Sequence, residues 1–144
     1  MFSKTCEYAI RAMIYISQHS KDGGKVGFKE VAKAIAAPES FIAKILQQLS
    51  KARLVQSSKG PHGGFYVDES SINKSLADVV RAIDGDQIFS GCGLGLPFCS
   101  EINPCPIHDE FKSIRSSIQQ MLQSAKVSQF NDLLDRKLIR LRGD

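Results

Sequence analysis

"LQQLSKARLVQSSKGPHGGF", residues 46–65, changes periodicity halfway along. Up to Ala52 the pattern is helical: over 39–52, Ile42, Ile45, Leu46 and Leu49 form one apolar stripe. Ser40, Lys44, Gln47 and Lys51 fall on the opposite face. From Leu54 the pattern is that of strands. "LVQSS" (54–58) and "GFYV" (64–67) read as a hairpin, with the Gly/Pro-rich "KGPHGG" as its turn. That turn is not a nucleotide loop, because no GK[ST] follows and it opens a strand instead of a helix.

Upstream, "VGFKEVAKAIAA" (26–37) predicts a short helix with Val31, Ala34 and Ile35 on one side. Pro38 cannot continue it. Pro38 and Glu39 suit the first turn of the next helix instead. Further upstream, Cys6, Ala9, Ile10, Met13, Ile14 and Ile16 recur at helical spacing over 3–19, before the loop "SKDGGK". Helix, helix, basic turn and hairpin in this order make a winged helix-turn-helix in a mainly α chain. In that arrangement the second helix enters the major groove of DNA. Ser40, Lys44 and Gln47 can then donate hydrogen bonds to base edges or phosphates. Lys59 and His62 at the wing tip can reach phosphates, and the bare backbone at Gly60 and Gly63 allows close approach. Charge agrees with this reading. The chain carries a net +4, but residues 1–66 hold ten Lys and Arg against four Asp and Glu, a net of +6. Such a half suits a polyanionic partner.

Downstream, "SLADVVRAIDG" (75–85) predicts a helix with Ser75 and Asp78 as a capping box and Gly85 as its stop. Residues 108–125 predict a long helix with a heptad-like seam of Phe111, Ile114, Ile118, Met121 and Ala125. A short final helix is expected within 127–141. The chain is therefore divided as a DNA-binding unit (1–84), a cysteine-rich sensor loop (85–107) and a long helix with its tail (108–144).

The loop holds three of the four cysteines, in the spacing C-x(6)-C-x(5)-C-x(2)-H from Cys92 to His108. No run of eighteen apolar residues is present, so no membrane span is expected. Lys4, Glu7 and Arg11 interrupt the N-terminal apolar segment, which argues against a secretory signal and for the cytoplasm. Thiols stay reduced there, and clustered cysteines point to metal or redox chemistry. Cys92, Cys99, Cys105 and His108 make a four-ligand set for zinc or for an iron–sulfur cluster. A metal-free thiol switch and bystander thiols stay open at this point. Cys6 reads as a small buried hydrophobe. No nucleophile–base–acid set is present, neither G-x-S-x-G nor H-E-x-x-H, so the chain is not expected to be an enzyme. A metal or cluster carrier is the alternative outside DNA binding.

"EYAIRAMIYIS", "LQQLSKARLVQSSKGPHGGF", "SLADVVRAIDG" and the three-cysteine loop before a long helix resemble the Rrf-two-type family of bacterial winged-helix regulators (IscR-, NsrR- and CymR-like). The resemblance spans roughly residues 1–125. It implies a homodimeric transcriptional regulator, a repressor by expectation, with the long helix as the dimerisation helix through Phe111, Ile114, Ile118 and Met121. By position, Ser40, Phe41, Ala43 and Lys44 match the family's base-reading stretch, and Lys4 and Thr5 are expected near phosphate. Ala43 departs from IscR, which carries an acidic residue there, so a different operator is implied. The family's cluster-binding members imply an iron–sulfur cluster on Cys92, Cys99 and Cys105, 2Fe–2S favoured over 4Fe–4S. His108 matches the fourth ligand of IscR-like members. Glu7 matches the alternative, an acidic residue supplied by the other subunit in NsrR-like members. CymR-like members imply a cluster-free variant controlled by a partner protein.

Overall fold

The computed structural model describes residues 1–143. Helix α1 (Lys4–His19) starts at Ser3, whose hydroxyl accepts from the Cys6 amide at 3.0 Å and so satisfies one free N–H of the first turn. Asp84 holds the same Ser3 from the far side, accepting from its amide at 2.9 Å and from its hydroxyl. Ala9, Ala12, Met13 and Ile16 of α1 are fully buried, and α1 forms the central post of the molecule.

Helix α2 (Phe28–Ile35) and helix α3 (Glu39–Lys51) pack on α1 and on each other. Val31 and Ile35 of α2 and Ile42, Ile45, Leu46 and Leu49 of α3 are all buried there, as their spacing predicts. The turn between them is made by Ala36, at φ 55° and ψ 52°, which ends α2 before Pro38 is reached. Strands β1 (Gln56–Ser58) and β2 (Gly64–Tyr66) pair antiparallel, with Gln56 opposite Tyr66 and Ser58 opposite Gly64. A bridge between Val26 and Phe65 adds a third line to this wing. Leu54 and Val55, expected in the first strand, are buried ahead of it: the core holds them by packing, and the ladder starts after them.

Helix α4 (Leu76–Asp84) opens with the expected capping box, Ser75 accepting from the Asp78 amide and Asp78 from the Ser75 amide. A short helix α5 (Gln87–Ser90) follows, where the sequence predicts loop. Buried Phe89, with the Arg81 guanidinium 4.5 Å from its ring centre, pins that turn. Helix α6 (His108–Ser124) packs against α4 and α5, and Leu122 is its one fully buried residue. Then come a 3-10 turn (Val127–Phe130) and the short helix α7 (Asn131–Asp135), where a short final helix is expected. The tail is tied back by Gln18 of α1, which donates to Asp135 at 2.9 Å, and by an ion pair from Lys21, just past α1, to the same Asp135. No helix among the described residues is long and apolar enough to cross a membrane.

Candidate nucleic-acid interface and metal centre

The side chains expected to touch a polyanion lie at the start of α1, on α3 and on the wing turn. Ser40, Phe41, Lys44 and Gln47 are exposed on α3, because the helix buries the opposite stripe. Phe41 is 52% exposed and also stacks on Tyr8 of α1, ring centres 6.3 Å apart. Lys4 reaches the same Tyr8 ring at 5.4 Å, so the start of α1 and the start of α3 form one surface. Thr5 lies beside it, half-buried.

Lys59, Gly60 and His62 are exposed on the wing turn, and Gly63 is half-buried at its base. Gly60 has φ +100°, and a Cβ at Gly63 would overlap the Ser58 carbonyl, so this tight turn needs both glycines. Two further side chains, Tyr8 and Lys25, join these surfaces without a signal in the sequence. Tyr8 was hidden in the α1 pattern, though it carries the Lys4–Phe41 junction. Lys25 lies beside the wing through the Val26–Phe65 bridge, its Nζ 3.3 Å from Ser58 Oγ and 5.3 Å from the Tyr66 ring centre. No periodicity marks a one-residue bridge.

The second candidate site is the loop between α5 and α6. The Sγ atoms of Cys92, Cys99 and Cys105 all lie within 4.8 Å of one another. None of the four cysteines is in a disulfide. Cys92 Sγ and Cys105 Sγ are 3.7 Å apart. Two thiolates on one tetrahedral metal stand about 3.8 Å apart, given metal–sulfur bonds of roughly 2.3 Å. The residues present therefore fit a tetrahedral metal or a cluster of small span. His108 begins α6, and its Nδ1 lies 3.2 Å from Cys99 Sγ. Thus each cysteine has a donor neighbour: Cys92 with Cys105, Cys99 with His108.

Local backbone tunes the thiols. Amides of Leu96 and Leu94 donate to Cys92, pulling its pKa down to about 7 and favouring the thiolate a metal requires. At Cys99 a backbone N–H from Cys105 pulls the thiol down, but burial and the neighbouring thiols outweigh it and leave a net upward shift.

The loop is fastened to α6. Arg115 donates to the Gly91 carbonyl at 2.6 Å. Gly93 lies flat on Phe111, where an added Cβ would meet the ring at 2.9 Å. Cys6 is buried elsewhere, its pKa pushed up to about 12 by burial and then by Asp84, and it takes no part in the thiol group. Glu7 of the same chain lies outside that group and is paired with Lys4 at 3.5 Å. Along the expected seam, Ile114 and Met121 are 56% and 54% exposed, while Phe111 and Ile118 are half-buried against their own chain.

A winged helix-turn-helix joined to a three-thiol loop is an arrangement of DNA-binding regulators. The comparisons agree: residues 2–132 match the model of the Rrf2 family, described as iron-dependent transcriptional regulators, and the chain belongs to that family. A protein of Aquifex aeolicus named as an HTH-type transcriptional regulator is 29% identical over 140 residues, 96% of each chain. The HTH-type transcriptional regulator IscR of Yersinia pestis is 25% identical over 122 residues, 85% of this chain and 73% of IscR. Among solved structures, CymR, the global cysteine regulator of B. subtilis, superposes with a TM-score of 0.74 at 19% identity, covering 92% of this chain and 96% of that one. IscR of T. potens does so with a TM-score of 0.71 at 23% identity, covering 94% and 88%. These two likenesses bear out the winged-helix fold.

Proposed function

We propose that this chain is a cytoplasmic, homodimeric repressor that binds operator DNA, and that an iron–sulfur cluster in its three-cysteine loop controls the binding. Residues 1–84 form the DNA-binding unit, 85–107 the sensor loop and 108–144 the dimerisation helix and tail. The observation that carries the reading is the convergence of Cys92, Cys99 and Cys105, with His108 beside Cys99, on a loop fastened to α6. Cys92, Cys99, Cys105 and His108 would hold the group, with the partner subunit's Glu7 as the alternative fourth ligand. A histidine among the ligands favours 2Fe–2S over 4Fe–4S. Such a cluster supplies reversible redox chemistry and sensitivity to oxidants and to iron supply.

The protein's part is to pass a change in the loop to the DNA face. Arg115 and Phe111 couple the loop to α6, whose exposed Ile114 and Met121 are the proposed dimer contacts. Helix α4 packs against α6 on one side and against α1 and α3 on the other. A shift of α6 would therefore change the spacing of the two copies of α3, and dimeric helix-turn-helix proteins read that spacing as affinity. Ser40, Phe41, Lys44 and Gln47 would face base edges; Lys4, Thr5, Lys59, Gly60, His62 and Gly63 would face the backbone.

The test uses an operator selected from random duplex DNA by oxygen-free protein. Affinity is then compared for protein as isolated and after chelator treatment. A tenfold or larger difference is expected; equal affinity for the two forms would contradict cluster control.

A further inference from the structure

Between the second and third cysteines lies Glu101, outside the thiol set, its carboxylate within 4.8 Å of ligand atoms of both His108 and Asp109. Glu101 Oε1 stands 3.3 Å from His108 Nε2. That imidazole is nearly enclosed, with only 10% of its side chain exposed, whereas Glu101 is 64% exposed. Nε2 has no hydrogen-bond partner of proper geometry, and the carboxylate sits next to it at ion-pair distance. The opposite ring nitrogen, Nδ1, faces Cys99 Sγ at 3.2 Å. Lys112, one turn along α6 from His108, grips the same carboxylate.

Each ring nitrogen of a histidine has a separate task when the ring binds a metal. One carries the lone pair to the metal, and the other must keep its proton. A carboxylate at the second nitrogen fixes that tautomer, orients the ring and raises its basicity. The arrangement here has that form: Nδ1 is turned toward the thiols and Nε2 toward Glu101, with Lys112 keeping the carboxylate in place.

We propose that Glu101 is the positioning residue for His108, accepting the Nε2 proton so that Nδ1 presents its lone pair beside Cys99. The inference rests on the cluster reading given above and goes beyond it in assigning the ligating nitrogen and its supporting carboxylate. Glu101 itself does not touch the metal. Its exposure means that removing it disturbs no core.

Full-length protein purified without oxygen, with histidine labelled by 15N at Nδ1 alone, tests the assignment. After one-electron reduction, pulsed electron paramagnetic resonance should show a directly bound, labelled nitrogen. That signal should be absent in His108→Ala. In Glu101→Ala the cluster should still form, but chelator should bleach it about tenfold faster, within the 10–100-fold range known for lost outer-shell partners. The reduction potential should rise, and Glu101→Asp should restore both properties in part. In a His108→Ala background, Glu101→Ala should add nothing further, since a residue acting through His108 has nothing left to act on.

An unlabelled ligating nitrogen would overturn the assignment of Nδ1. Wild-type behaviour of Glu101→Ala, or an undiminished effect in the His108→Ala background, would overturn the role of Glu101. Colourless wild-type protein would bring down the cluster reading itself, and this inference with it. A coloured wild type with an inert Glu101 would bring down this inference alone.

Discussion

Lys59 stands exposed at the tip of the wing, on a turn that its glycines hold tight. A lysine there is expected to meet a phosphate, so Lys59→Ala should weaken binding to most sequences alike. In a fluorescence titration over several salt concentrations, the slope of log K against log salt should fall by about one contact. Ser40→Ala, on the exposed face of α3, should instead change which sequence is preferred, by about 0.5–1.5 kcal/mol for one lost hydrogen bond. A Lys59→Ala protein with an unchanged salt slope would remove the wing from the interface. The four cysteines divide in the same way. Cys6 is sealed in the core, so Cys6→Ala should keep the visible absorption of anaerobic protein, whereas Ala at Cys92, Cys99 or Cys105 should abolish it. At this scale the sequence was legible where chemistry repeats at a fixed spacing, as in the thiol set and the polar face of α3. It was silent on Tyr8, Lys25 and Glu101. Tyr8 and Lys25 act through contacts between segments distant in the chain, and Glu101 lies in a loop without periodicity.

Elements with one buried stripe were readable because burial on one side imposes a period. The stripe of α3 and the capping box of α4 appear as expected for that reason. Helix α5 has four residues, too few to show a period, and the register of β1 was displaced by Leu54 and Val55, which the core takes first. The turn of the helix-turn-helix holds a different surprise. Ala36 adopts the left-handed conformation at the end of α2, a place where glycine is the usual choice. The left-handed region costs an L-residue roughly 1–2 kcal/mol. Part of that is offset by the greater freedom glycine has when unfolded. Ala36→Gly should therefore stabilise the fold by about 0.5–1 kcal/mol. Urea unfolding followed by circular dichroism would show a higher midpoint at unchanged slope; a lower midpoint would mean that the Ala36 methyl makes a contact worth more than the strain.

For the molecule as a whole, α6 poses the main question, because most of its length is exposed and Leu122 alone is fully buried. Ile114 and Met121 lie seven residues apart on one face, each more than half exposed. Ile118 already packs on its own chain beside Leu122, so Ile114 and Met121 are the positions to charge. Glu at both should leave the monomer folded and should place unpaired carboxylates in the proposed dimer contact. Sedimentation velocity should then give a monomer with native circular dichroism, and an intact dimer would move the contact elsewhere. The most direct check on the central claim, that the three-cysteine loop holds an iron–sulfur cluster, is the visible absorption spectrum of protein purified without oxygen. Thiolate-to-iron charge transfer should make it red-brown, with iron and acid-labile sulfide in equal amounts. Colourless protein, with one zinc per chain or with no metal at all, would contradict the account.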